Sequence, residues 1–148
     1  MGLVCDIDHI GISVSDMTRA IAFFRDVLGA QVTEPHLYDD PRIGTVVGLP
    51  GLRNVICQAS VGGKRFELLQ YVAPEGRQAD NHRPCDPGHM HVALAVEDIE
   101  AFIARMKLHG FEPANPVQRG MGGHGLSAAY CYGFDGLVFE LIEYPKAP

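Results

Sequence analysis

The chain has 148 residues, 47% of them apolar, and a formal net charge of −6. This length suits one domain with a filled core, and the acidic balance argues against a nucleic-acid partner, whose phosphates require a basic surface. No apolar run is long enough to span a bilayer, and the start of the chain, MGLVCDID, lacks the basic and apolar regions of a secretory signal. We therefore expect a cytoplasmic protein without membrane contact.

The first half of the chain reads as a strand, a helix and three further strands. Alternating apolar residues follow His9, and apolar residues at helical spacing predict a helix over residues 17–28 that ends at Gly29. The Pro- and Gly-rich residues 34–51 are interpreted as an insertion that contains a strand near residues 45–49. Two strands joined by a tight Gly-Gly turn follow, at residues 54–61 and 65–71.

The second half repeats this pattern. HIGISVSDM at residue 9 aligns with HVALAVEDI at residue 91, and RFELLQY at residue 65 aligns with VFELIEY at residue 138. A second helix is predicted over residues 99–109, with Gly110 just past its end. The remaining predicted strands lie near residues 116–119, at 126–132 and at 138–144.

Each half thus predicts the order β-α-β-β-β, within one domain of the α+β class. We define module 1 as about residues 5–74 and module 2 as about residues 89–145, joined by a surface linker over about 75–88.

Side-chain alternation separates the two faces of the first strand in each module. Ile10, Ile12 and Val14 share the face expected to pack on the helix, which leaves His9 with Gly11 on the other face. In module 2, the same alternation leaves His91 on the face that carries small residues, Ala93 and Ala95. Small residues beside each histidine are typical of a cavity wall.

Two glutamates occupy equivalent positions on the last strand of each module. Glu67 and Glu140 have apolar neighbours on their faces, and a carboxylate there is costly unless it is paired or bound to metal. Two imidazole nitrogens and two carboxylate oxygens suit a divalent ion such as Mn, Fe, Co, Ni or Zn. The sequence therefore predicts a metal site made by His9, Glu67, His91 and Glu140, with two octahedral positions open. The alternative, four ordinary edge or surface residues, is disfavoured because the pattern occurs twice.

Four other residues are weaker candidates. His89 would share a face with His91, but register with His9 favours His91. His124 lies in the glycine-rich loop GMGGHG, which is expected either to carry it toward a substrate or to be a plain mobile loop. Tyr130 and Tyr132 are candidate substrate-binding residues, expected one on each face of their strand, and a core role suits them equally.

With these residues in place, the sequence resembles the vicinal oxygen chelate superfamily, which includes glyoxalase I, methylmalonyl-CoA epimerase, extradiol dioxygenases, and fosfomycin- and bleomycin-resistance proteins. The resemblance runs from Asp8-His9-Ile10 to Phe139-Glu140-Leu141-Ile142-Glu143. It implies two βαβββ modules forming a half-barrel metal-binding cavity, the four ligands above, a small-molecule substrate and a homodimer.

The resemblance also implies an activity of the lyase, isomerase or epimerase type. Such an enzyme chelates vicinal oxygens of its substrate and stabilises an enediolate or enolate, with Glu67 or Glu140 as general base. The four-ligand set is similar to that of glyoxalase I and close to that of the epimerase. The alternatives are an extradiol-type dioxygenase, which typically keeps two His and one Glu, and a non-catalytic resistance-type binding protein. Because no residue clearly matches the glutathione-holding residues or the epimerase's additional catalytic Glu, the sequence leaves the substrate open.

Overall fold

The computed structural model describes residues 2–77, 83–123 and 125–146. The chain divides into two compact units, Met1–Gln78 and Ala79–Pro148, which contain module 1 and module 2 respectively. Both units combine a sheet with helices, which agrees with the predicted α+β class. Within the described residues, no helix has the length and apolar character that a membrane crossing requires.

Module 1 is built on a mixed sheet. Its strands lie in the order β1-β5-β4-β2, and β3 also pairs with β4. The first strand runs parallel to the last, while the other pairings are antiparallel. The elements described in this unit are β1 (Ile10–Ser13), α1 (Met17–Ala22) with its π-helical continuation (Phe23–Val27), β2 (Gln31–Val32), β3 (His36–Tyr38), α2 (Pro41–Val47), β4 (Arg53–Val61) and β5 (Lys64–Ala73).

The predicted strand near residues 45–49 is wrong, because this part of the insertion forms the helix α2. Asp40 caps the helix by accepting a hydrogen bond from the backbone N–H of Arg42, and Pro41 occupies the first turn, where its missing N–H costs nothing. Gly48 ends the helix with a φ of 76°. These end signals outweigh the β-branched residues that favoured a strand.

Module 2 has the shorter version of the same arrangement. Its sheet has the order β6-β9-β8-β7, again with the first and last strands parallel. Asp98 caps α3 by accepting from the backbone N–H of Ala101, and Gly110 follows the helix with a φ of 78°. The weakly predicted strand is present a little later than expected, as β7. The described elements are β6 (His91–Ala95), α3 (Ile99–Leu108), β7 (Gln118–Met121), β8 (Leu126–Tyr132) and β9 (Val138–Glu143).

In each module, one face of the sheet forms the core. In module 1, α1 packs on β4 and β5, and the Phe24 and Phe66 rings meet with centroids 5.3 Å apart. In module 2, α3 packs against β9, where Phe139 and Leu141 are buried. The opposite face of each sheet, which carries the predicted ligands, is more exposed. Face alternation therefore predicted correctly which side of each sheet packs.

Candidate metal-binding pairs

In module 1, the first and last strands bring His9 and Glu67 together. The parallel pairing of β1 with β5 places Gly11 beside Glu67, and His9 precedes Gly11 on the same face. The glycine has no side chain to separate the two groups. His9 Nε2 consequently lies 3.6 Å from Glu67 Oε1.

Module 2 repeats this relationship at the same register. Ala93 is the partner of Glu140 in the parallel pairing of β6 with β9, and His91 precedes Ala93 by two residues. His91 Nε2 lies 3.2 Å from Glu140 Oε2. His89 lies ahead of β6, and its backbone N–H donates to the carbonyl of Asp86. Each module therefore forms one His–Glu pair from the residues that the repeat identified.

Both pairs are partly open to solvent, with the glutamates more enclosed than the histidines. The side chain of Glu67 is 20% exposed and that of Glu140 is 25% exposed, against 37% for His9 and 42% for His91. An incoming ion or small molecule can thus reach these groups without unfolding the sheet.

Sequence reasoning missed three polar residues around the module 1 pair. Asp8 Oδ1 lies 2.6 Å from His9 Nδ1, and Arg65 forms an ion pair with the other Asp8 oxygen. The hydrogen bond to His9 and then the Arg65 guanidinium lower the pKa of Asp8. Gln58 Nε2 donates to Glu67 Oε2 at 2.7 Å.

Gln58 could have been found from the sequence. The two-residue turn at Gly62-Gly63 pairs Val61 with Lys64, and counting back along the hairpin places Gln58 opposite Glu67. Asp8 gave a weaker signal, because its contact with Arg65 depends on the parallel pairing of distant strands.

An aromatic residue takes the corresponding place in module 2. Tyr130 is the cross-strand partner of Glu140, and its ring centroid lies 5.4 Å from that of His91. The expectation that Tyr130 and Tyr132 lie on opposite faces is wrong. They are two residues apart in one strand and pair with Glu140 and Val138, so both side chains share the glutamate's face. His124 lies outside the described residues.

The geometry and chemistry of each pair fit two ligands of one divalent ion. Two atoms that each lie about 2.1 Å from one ion, at tetrahedral or octahedral angles, are about 3.0–3.4 Å apart. The observed separations of 3.6 Å and 3.2 Å are close to that range. Within each module taken alone, the described His, Cys, Asp and Glu residues form no potential metal-binding group of three or more. One module thus provides two donors, half of the predicted set.

Comparison with known protein families identifies the superfamily of the chain. The sequence profile of the Glyoxalase/Bleomycin resistance protein/Dioxygenase superfamily matches residues 6–141. The chain belongs to this superfamily. The superfamily assignment agrees with the resemblance drawn from the duplicated motifs, and it covers both modules.

Named relatives of this superfamily member include epimerases. It is 30% identical over 141 residues to ethylmalonyl-CoA/methylmalonyl-CoA epimerase of Cereibacter sphaeroides, covering 93% of this chain and 96% of the relative. It is 27% identical over 140 residues to the mitochondrial methylmalonyl-CoA epimerase of Mus musculus, covering 93% and 72%. A glyoxalase family protein from Bacillus cereus has the same fold, with a TM-score of 0.87, 24% identity and coverage of 98% and 97%.

Proposed function

We propose that this chain is a divalent-metal-dependent, epimerase-type enzyme that moves a proton at the carbon beside the carbonyl group of a small acyl thioester. The observation that carries the proposal is the His–Glu pair that recurs at the same register in both modules. The substrate class is taken from the epimerase relative at 30% identity, which aligns over 96% of its own length.

We propose that His9, Glu67, His91 and Glu140 together hold the ion, whether the two pairs come from one chain or from two. Two imidazoles and two carboxylates suit a borderline divalent metal, with Zn, Ni, Co, Mn and Fe as candidates. A bound ion supplies Lewis-acid stabilisation of the negative charge that develops on the substrate oxygens. Support comes from the atom separations within each pair and from the exposed fraction that each ligand retains.

The chain's own carboxylates supply the proton chemistry of this proposal. Epimerisation removes a proton from one face of a carbon and returns a proton to the other face. Glu67 and Glu140 give one carboxylate from each module. A carboxylate that the substrate displaces from the ion would be free to accept the proton, and the other, once displaced and protonated, would donate one. The Gln58 amide N–H donates to Glu67 Oε2 and so holds this carboxylate in a fixed orientation for the basic role.

Metal content tests the first part of the proposal. Full-length protein purified without chelators should contain close to one divalent ion per site, measured by inductively coupled plasma mass spectrometry. Replacing all four ligands by alanine should remove it. Tight binding of a small molecule by metal-free protein, with no metal dependence, would instead favour a non-catalytic binding protein.

Proton exchange tests the reaction. In deuterium oxide, the metal-loaded protein should exchange the proton at the substituted carbon of methylmalonyl-CoA, followed by NMR. Glu67→Gln and Glu140→Gln should each reduce the exchange rate by at least 100-fold, while the exposed Glu75→Gln should leave it unchanged. Full activity in both ligand variants would refute the role of these carboxylates.

Two further substrates separate the alternatives. Turnover of a glutathione hemithioacetal in place of the acyl thioester would indicate a glyoxalase-type activity. Iron-dependent oxygen consumption with a catechol would indicate an extradiol-type dioxygenase. The proposal also includes a homodimer, and sedimentation equilibrium at micromolar concentration should give twice the mass of 16.1 kDa.

A further inference from the structure

In module 1, polar side chains form hydrogen bonds with both members of the pair, His9 and Glu67. An ionised carboxylate only accepts hydrogen bonds, so the 2.6 Å contact with Asp8 means that His9 Nδ1 carries the ring proton. In the neutral imidazole that a metal ligand requires, a proton on Nδ1 leaves the lone pair on Nε2, the ring nitrogen on the side of Glu67. Arg65 in turn holds Asp8 through the carboxylate oxygen that His9 does not use.

Gln58 supports the other member of the pair. Its amide N–H occupies Glu67 Oε2, which leaves Oε1 as the oxygen nearest His9. The Gln58 backbone is itself fixed by Thr33. The Gln58 N–H donates to Thr33 Oγ1 at 3.0 Å, and the Gln58 carbonyl accepts from the Thr33 N–H at 2.9 Å. Rotation of Glu67 away from His9 would therefore break a hydrogen bond to an anchored residue.

Module 2 has none of these three residue types at the equivalent positions. Register places Met90 where module 1 has Asp8, Val138 where it has Arg65, and Tyr130 where it has Gln58. Met90 is 74% exposed and Val138 is fully buried, and neither can hydrogen-bond a histidine or glutamate through its side chain. In module 2, Tyr130 contacts the pair through its ring, which lies beside the ring of His91.

We propose that the two halves of the metal site are unequal: Asp8, Arg65 and Gln58 are positioning residues that hold His9 and Glu67 ready for a divalent ion, so that module 1 dominates metal affinity. Ligands whose rotamers are already fixed lose less conformational entropy when the ion binds. This inference rests on the proposed function, because it assumes that both pairs bind the same ion.

Metal titration of the full-length protein tests the inequality. The probe is ZnCl2 alone, measured by calorimetry, with the visible spectrum of CoCl2-loaded protein as a second readout. The double variant H91A/E140A should still bind metal, at least 10-fold more tightly than H9A/E67A. Asp8→Ala and Gln58→Met should each weaken binding by about 10- to 100-fold. Their module 2 counterparts, Met90→Ala and Tyr130→Phe, should change affinity by less than about 3-fold.

Controls separate positioning from folding. Asp8 is 74% exposed, so Asp8→Ala should leave the thermal midpoint nearly unchanged. Arg65→Lys should retain more metal affinity than Arg65→Ala. Because Arg65 is exposed, these two variants still test positioning of the ligands if Gln58→Met fails to fold. Equal losses in the two double variants, or equal effects of matched changes in the two modules, would overturn the inference and leave the proposed function standing. Failure of the unaltered protein to bind any divalent metal would refute the proposed function itself.

Discussion

Glu143 Oε2 accepts a hydrogen bond of 2.6 Å from the backbone N–H of Ile99, the first residue of α3. In module 1, Gln70 Oε1 accepts from the backbone N–H of Met17, the first residue of α1, at 3.1 Å. Both acceptors lie three residues beyond the glutamate of the His–Glu pair in their module. The strand that carries the glutamate on one face of the sheet thus also binds the first residue of the helix on the other face.

We expect Glu143→Ala to lower the free energy of unfolding by about 1–3 kcal/mol, because a half-buried helix N–H loses its partner and the helix dipole loses a favourable charge. Glu143→Gln should cost less than about 1 kcal/mol, since module 1 makes the same contact with glutamine. Urea denaturation measures both, with the exposed Glu97→Ala as control. Equal losses for the alanine and glutamine variants would mean that charge alone matters.

Removal of the Phe24 ring should destabilise module 1 more than any surface change. Phe24 is fully buried and meets Phe66 at the centre of the core. We expect Phe24→Ala to reduce the free energy of unfolding by about 3–5 kcal/mol, because it removes buried surface and leaves a cavity. Leu108→Ala, at a residue that is 86% exposed, should change it by less than about 0.5 kcal/mol in the same urea titration.

The four cysteines should divide into two reactive and two protected thiols. Cys5 and Cys85 are exposed, whereas Cys57 and Cys131 are buried. Burial is the main cause of the raised pKa of the Cys57 thiol. Burial also raises the pKa of the Cys131 thiol, to about 11. At pH 8, a disulfide reagent should therefore modify two thiols rapidly in the folded protein and four in urea. A third fast thiol in the folded state would contradict the assigned burial.

The raised thiol pKa also predicts how stability changes at high pH. The unfolded chain releases the Cys131 proton near the ordinary value of 9.0, while the folded protein holds it to about 11. The unfolded state binds fewer protons in this interval, so the free energy of unfolding should fall as the pH rises from 9 to 11. Cys131→Ala should show a smaller decline in urea titrations across this interval.

Metal loading should stabilise the protein against heat. An ion that binds only the folded state at 100 times its dissociation constant adds about 2.7 kcal/mol to the free energy of unfolding. Calorimetry should show a higher thermal midpoint with ZnCl2 than with a chelator. The variant with all four predicted ligands replaced by alanine should show no difference between the two conditions.

Much of the arrangement around the histidines was predictable because it depends on local signals. The alternation after His9 and His91 identified the buried faces, and Gly29 and Gly110 marked the helix ends. The duplication gave information that neither half provides alone, because alignment with His9 selected His91 over the neighbouring His89. The inner face, the helix ends and the equivalence of Glu67 with Glu140 were all available in the sequence.

The parts that sequence reasoning missed depend on long-range pairing or on competing local preferences. Strands β2 and β3 have two and three residues, too few for a visible alternation, and each exists only because β4 offers a partner. In α2, the β-branched run from Thr45 to Val47 favoured a strand, but capping by Asp40 and the left-handed Gly48 determined a helix.

The parallel pairing of the first and last strands in each sheet determines when the two His–Glu pairs can form during synthesis. Gly11 and Glu67 are neighbours across β1 and β5 although 56 residues separate them in sequence, and 47 residues separate Ala93 from Glu140. Such contacts form only after the intervening chain is available, and they slow folding because a long loop must close first. On the ribosome, each histidine is made long before its glutamate. In a nascent chain, His9 and Glu67 can therefore come together only when β5 has emerged, and His91 and Glu140 only when β9 has emerged.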